Sequence, residues 1–208
     1  MASEVQTQCI GIICEGGPGF EDEQILTHLA TQIVGHRNVI CLPQGNKPTL
    51  FAECGRVARR LIDTDGCEKV LVVWDLEPSH NEGGPCRRTD RHKVFESLAM
   101  AGLKDHPCIF VLCIEKELET WLLADGAAIA TVLHRPPYPR PRVPNAKTVG
   151  AGNPKGRLKR IFKVHGRGRQ FDPKTDGPAI AKALPTNFGA LGGLATFRRF
   201  GRKLMQEC

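Results

Sequence analysis

The sequence predicts an α/β fold, a mainly parallel sheet flanked by helices, on three observations. Short apolar runs rich in β-branched residues alternate with amphipathic helical segments as far as Ile114. The run Val70-Leu71-Val72-Val73-Trp74 is apolar without interruption, as in a strand buried on both faces inside a parallel sheet. Acidic residues follow directly on such runs, where an open α/β sheet holds its ligands.

Gln8 to Cys14 reads as the first strand, ending at Glu15 and the turn Gly16-Gly17-Pro18-Gly19. A helix from Asp22 to Val34 follows, with Ile25, Leu26, Leu29, Ile33 and Val34 on one stripe. Glu21, Asp22 and Glu23 open it, where negative charge suits the helix dipole. The glycines lack the Lys-Ser/Thr pair of a phosphate-cradling loop, and Glu15 would repel phosphate without a metal. Glu15 is therefore a candidate metal ligand or general base. Asn38 to Leu42 is a second strand and Thr49 to Asp63 a helix, leading to the central strand that begins at Lys69. Asp75 and Glu77 stand at its end, followed by Pro78, which cannot extend a ladder.

Ser79 to Arg88 reads as a polar loop beside those acids, with His80, Arg87 and Arg88 able to reach phosphate. Thr89 can cap a helix from Asp90 to Ala101, and Cys108 to Ile114 is a fourth buried strand. From Glu115 to Asp125 the pattern is helical, with Glu115 and Glu119 sharing one face and Glu117 between them. These three form a third carboxylate cluster.

From His134 the chain becomes basic and proline-rich: an extended linker to Pro144, a loop to Gly156, and helices at Pro154 to Val164, Pro178 to Leu184 and Ala195 to Gln206. Up to Leu133 there are 12 lysines and arginines against 19 acids, a net of −7. From His134 there are 17 against 3, a net of +14. Residues 1–133 are thus expected to form an acidic domain with room for a metal site, and 134–208 a basic, mostly helical extension packed on it. Arg87, Arg88, Arg157, Lys159, Arg160, Arg167 and Arg169 are the candidate nucleic-acid contacts. Two solvated surfaces of opposite sign would give the same division of charge.

The nine cysteines include no C-x-x-C pair, so they are expected to be reduced and structural. No apolar run approaches a membrane span, and Met1-Ala2-Ser3-Glu4 lacks the layout of a signal peptide. A cytoplasmic protein without a membrane partner is expected; self-association is compatible with the sequence.

Cys14-Glu15-Gly16-Gly17 after the first strand, Asp75-Leu76-Glu77 after a later one, and the third acidic cluster together resemble the TOPRIM domain of topoisomerases and primases. More narrowly, Ile114 to Asp125, Gly177-Pro178-Ala179-Ile180-Ala181 and Phe197-Arg198-Arg199-Phe200 resemble small TOPRIM-like proteins of bacterial phage-defence and abortive-infection loci, often encoded beside an ATPase. The resemblance implies a magnesium-dependent nuclease acting on DNA or RNA, with manganese able to replace magnesium, working as a defence effector under an ATPase partner. It implies that Glu15, Asp75 and Glu77 are catalytic and bind metal, with Glu115, Glu117 and Glu119 as candidates for a second ion. Glu77 departs from the aspartate usual in that family and reaches one methylene further. The alternative is a TOPRIM-like docking module that binds an ATPase or nucleic acid without catalysis. Strand passage or nucleotidyl transfer is disfavoured, since the sole tyrosine, Tyr138, lies in the proline-rich segment.

Overall fold

A computed structural model describes residues 9–77, 84–145 and 152–208. His80 and Pro78 lie outside the described residues. Four strands, β1 (Cys9–Cys14), β2 (Asn38–Pro43), β3 (Cys67–Asp75) and β4 (Ile109–Ile114), form one parallel sheet in the order β2-β1-β3-β4. The chain steps outward from β1 to β2, then returns past β1 to β3 and β4. The strand order therefore reverses between β1 and β3, and the crevice at their carboxyl ends is where such sheets bind ligands. The α/β class, with a parallel sheet between helices and a mostly helical basic rear, is as the sequence predicts.

Alternation along β3 sends Leu71 and Val73 to one face and Val70, Val72 and Trp74 to the other. The second face is covered by α2 (Lys47–Asp63) and α3 (Arg87–Met100). A Cβ at Gly55 of α2 would stand 2.0 Å from the Ser97 carbonyl oxygen, so glycine is required for these two helices to pack this closely. The first face is covered by α1 (Glu21–Val34), the short α4 (Glu119–Leu122) and α5 (Gly126–Leu133). It also carries α6 (Pro154–His165), α7 (Pro173–Ala183) and α8 (Ala195–Met205), so the basic rear contributes Phe162, Ile180 and Phe200 to the same core. Asn46, Asp125, Asn153 and Asp172 accept backbone N–H bonds at the starts of α2, α5, α6 and α7. Proline in the first turn of α2, α6 and α7 supplies a preset φ and no orphan donor.

Four expectations need correction. Arg87 and Arg88 stand in the first turn of α3, with Cys86 as N-cap, and not in a loop. The stretch after β4 is not one helix: Lys116 has φ 66°, a left-handed turn that delays α4 to Glu119. Only Leu112, Cys113 and Ile114 of β4 are fully buried, because β4 is a sheet edge. Finally, the cysteines are not all free: Cys108 and Cys208 are joined. The end of α8 returns to the start of β3, where the Lys69 ammonium donates to the carbonyls of Leu204 and Gln206, and this brings the two thiols together.

Candidate functional site

Glu15 leaves β1 toward the end of β3, and its Oε1 accepts a hydrogen bond from the Asp75 backbone N–H at 2.9 Å. Paired backbone hydrogen bonds of 2.6 Å between Gly16 and Gly45 pin the loop that follows β1. Asp75, the last residue of β3, accepts at Oδ2 from the Leu118 N–H at 3.1 Å. Asp22 enters from the first turn of α1, and Cys14, Glu15, Asp22, Asp75 and Leu118 line a crevice of about 10 Å³, room for a single water at most. Glu119, 7% exposed, approaches from the start of α4.

Burial and mutual repulsion shift the ionisation of these acids. Burial, then Glu119, Glu21 and Glu15, pushes Asp22 up to about 8. Burial, then Asp22, Glu15 and Glu119, holds Asp75 well above the usual carboxylate range. Glu15 is raised by burial, against the lowering influence of the Lys47 ammonium. Lys47 is itself buried, donating to the Leu76 carbonyl at 3.1 Å. Lys155, on α6, lies 3.3 Å from Glu119 Oε1 and 3.4 Å from Glu21 Oε1, while its backbone N–H donates to Glu117 Oε2 at 3.3 Å. Burial alone would lower the Lys155 ammonium, but Glu119 and Glu21 outweigh it and raise its pKa. One lysine of the basic rear thus faces several acids of the front.

These residues suit a hard divalent cation by charge and donor type. The acids oppose one another's ionisation, and Glu21 Oε2 is buried without a hydrogen-bond partner. A magnesium ion takes carboxylate oxygens and tolerates retained waters. Among the described residues, however, no three His, Cys, Asp or Glu side chains form a ready-made cage for an ion.

Of the residues expected from sequence, Glu15 and Asp75 line the cleft, Glu119 borders the adjoining hollow together with Asp22, and Glu117 lies on the Lys155 side. Glu77 stands at the rim, its N–H donating to the Lys116 carbonyl, and its charge is felt by Glu117. Glu115 is turned away, 48% exposed and 3.4 Å from Arg87. Arg88, Arg157, Lys159 and Arg160 are exposed. Arg167 covers the Tyr138 ring at 3.3 Å. Arg169 is occupied within the fold, ion-paired with the buried Asp176, donating to the Val132 carbonyl and lying over Phe162. Sequence reasoning missed Asp22, Lys47 and Lys155. Asp22 was visible only as one of three helix-start acids, and Lys155 only as one of many basic residues.

An α/β chain with a carboxylate cleft at the switch point of a parallel sheet is the class these features define. No family model matches the chain, and no curated protein matches it. Among solved structures, the chain is similar to the C-terminal region of the Burkholderia pseudomallei OLD protein. That likeness spans 96% of this chain and 97% of the other at 16% identity, with a TM-score of 0.47. A likeness so distant leaves the functional argument to the site itself.

Proposed function

We propose that the chain is a magnesium-dependent nuclease that hydrolyses phosphodiester bonds of DNA or RNA. The observation that carries this reading is the gathering of Glu15, Asp22, Asp75 and Glu119, from four separate elements, at the carboxyl ends of β1 and β3. In this reading Asp75, Glu15 and Asp22 hold one ion, with Glu77 at the rim, while Glu117 and Glu119 serve a second. Magnesium or manganese bound there would neutralise phosphate oxygens and make water acidic enough to attack near neutral pH. Glu15 either shares that ion or takes the proton of the attacking water. The Leu118 N–H holds Asp75 in orientation, and the Lys155 ammonium can donate to a phosphate oxygen that reaches the cleft. Residues 1–133 would carry the chemistry, and the exposed Arg157, Lys159 and Arg160 of 134–208, with Arg88, the nucleic-acid backbone.

Action as a phage-defence effector under an ATPase partner rests on the resemblance carried by Ile114 to Asp125, Gly177 to Ala181 and Phe197 to Phe200. Among the described residues no helix is long and apolar enough to cross a membrane. One observation favours the docking-module reading: Glu15 and Asp75 each commit an oxygen to a backbone amide, and among the described residues no three acids close on one point. Cleavage of mixed DNA and RNA substrates with Mg²⁺, Mn²⁺ or EDTA decides between the two. Metal-dependent cutting lost in Glu15→Ala and Asp75→Ala supports the nuclease. Binding without cutting that survives both substitutions supports the module.

A further inference from the structure

We propose that the β4 edge of the sheet carries a phosphate-binding track, formed by Arg91, Arg199, Arg202 and Lys203, along which a nucleic-acid backbone runs to the carboxylate cleft. The identity of the bound polymer rests on the nuclease reading above. Helices α3 and α8 lie on opposite faces of the sheet, and both pack against β4, its outermost strand. Arg199 stands three and four residues before Arg202 and Lys203 on α8, so these side chains share one face of that helix. The Lys203 ammonium is 5.4 Å from the centroid of the Phe110 ring, a half-buried residue of β4, which places this face at the open edge. Arg91 of α3 comes to the same place from the other face of the sheet: burial first, then Arg91, Arg202 and Arg199, lowers the Lys203 ammonium.

Among the described residues none of the four cations is ion-paired with an acid, and the Arg199 Nε is buried without a hydrogen-bond partner. The helix dipole accounts for Arg202 and Lys203 in the last turn of α8, but not for Arg199 or for Arg91 arriving from α3. Arg91 lies 5.2 Å over the Phe95 ring, and such stacking uses the flat face of the guanidinium and leaves its N–H edge for an anion. Lys69, also close to the Phe110 ring, is by contrast engaged, donating to the carbonyls of Leu204 and Gln206. Like charges held together without a counter-charge repel, and a polyanion laid across them relieves that repulsion. One turn before Arg91 on α3, Arg87 lies 3.4 Å from Glu115, just beyond the end of β4. From Phe110 to Glu115 the chain rises roughly 16 Å, the length of about five phosphates along one strand. The cations therefore lead along the edge to the end of the sheet where the carboxylate crevice opens.

The test is binding of labelled DNA and RNA oligonucleotides, and of polyglutamate, in EDTA over a range of salt. The full chain is compared with a glutamine variant, Arg91→Gln/Arg202→Gln/Lys203→Gln, and a charge-keeping one, Arg91→Lys/Arg202→Lys/Lys203→Arg, with circular dichroism to verify folding and sedimentation to detect self-association. In the glutamine variant the slope of log affinity against log salt is expected to shrink by about 2–3, and nucleic-acid affinity at about 0.1 M salt to fall at least roughly 10-fold; the charge-keeping variant is expected to recover both. Native slope and affinity in a folded glutamine variant overturns the track. Self-association of that variant with nucleic-acid binding intact also overturns it, since the cations then only guard the edge against strand pairing. Binding of polyglutamate in place of nucleic acid, lost in the glutamine variant, overturns it as well and assigns the edge to an acidic protein. If the native chain cuts nucleic acid while the glutamine variant binds it normally, only the track falls. If slope and affinity fall as expected but the native chain cuts nothing with Mg²⁺, the track stands and the nuclease reading falls.

Discussion

The Oε1 of Glu15 accepts a hydrogen bond from the Asp75 N–H at 2.9 Å, so the strand that carries one acid orients the other across the switch point of the sheet. Charge and hydrogen bonding can therefore be separated at this position. Glu15→Gln keeps an acceptor for the amide and removes the charge, so melting should be unchanged or slightly raised while cutting falls by about 100-fold or more. Glu15→Ala leaves the amide unpaired and should also cost about 1–3 kcal/mol of stability. Thermal melts and initial cleavage rates on the same preparations check both.

Asp22 gives the cleft a pH signature. A carboxyl pushed up to about 8 keeps its proton in the folded chain, whereas in the unfolded chain it ionises at the ordinary aspartate value. Between those two values the folded state binds more protons, so this group lowers stability as pH rises through that window. Without divalent cation, Asp22→Asn should raise the melting temperature at pH 8 by about 5 °C and less at pH 5. Added Mg²⁺ should narrow the gap at pH 8 by stabilising the native chain. Melts at both pH values, with and without Mg²⁺, provide the measurement.

Lys155 faces Glu119 and Glu21 at 3.3 and 3.4 Å from a side chain that is 37% exposed, so solvent screens the pairs and the stability at stake is modest. Lys155→Met should lower the melting temperature by roughly 2–4 °C and reduce cutting far more than that change implies. Lys155→Arg, which keeps the charge, should recover the stability. Parallel melts and rate measurements separate the two effects.

Phe200 is fully buried, its ring 5.2 Å from that of Trp121, whose indole N–H donates to Thr196 at 3.0 Å. Residues before and after 134 therefore share one core. Phe200→Ala should cost about 3–5 kcal/mol, and unfolding should remain a single transition by both far-UV and near-UV signals. A chain cut after Leu133 should fail to fold, since it leaves the α1 face uncovered. Denaturant titration tests the first claim and circular dichroism of the fragment the second.

The strands were legible because their apolar runs are uninterrupted, and Glu15 and Asp75 because each follows such a run directly. The inward turn of Asp22 was not legible. Glu21, Asp22 and Glu23 are equally good helix-start acids, and only the packing of α1 on the sheet shows that Asp22 lines the crevice. The helical spacing of Glu115 and Glu119 misled because a left-handed Lys116 breaks the period between them, burying Glu119 and exposing Glu115. Lys155 could not be singled out, since its partners lie on α1 and α4, far away in sequence. The cysteine pair was hidden for the same reason: 100 residues separate Cys108 from Cys208.

The measurement closest to the central claim is cleavage of labelled DNA and RNA by the native chain and by Asp75→Asn, each with Mg²⁺ and with EDTA. The carboxylate cleft predicts cutting by the native chain with Mg²⁺, none with EDTA, and a loss of about 100-fold or more in Asp75→Asn with melting preserved. Equal cutting by Asp75→Asn, or cutting that persists in EDTA, would contradict it.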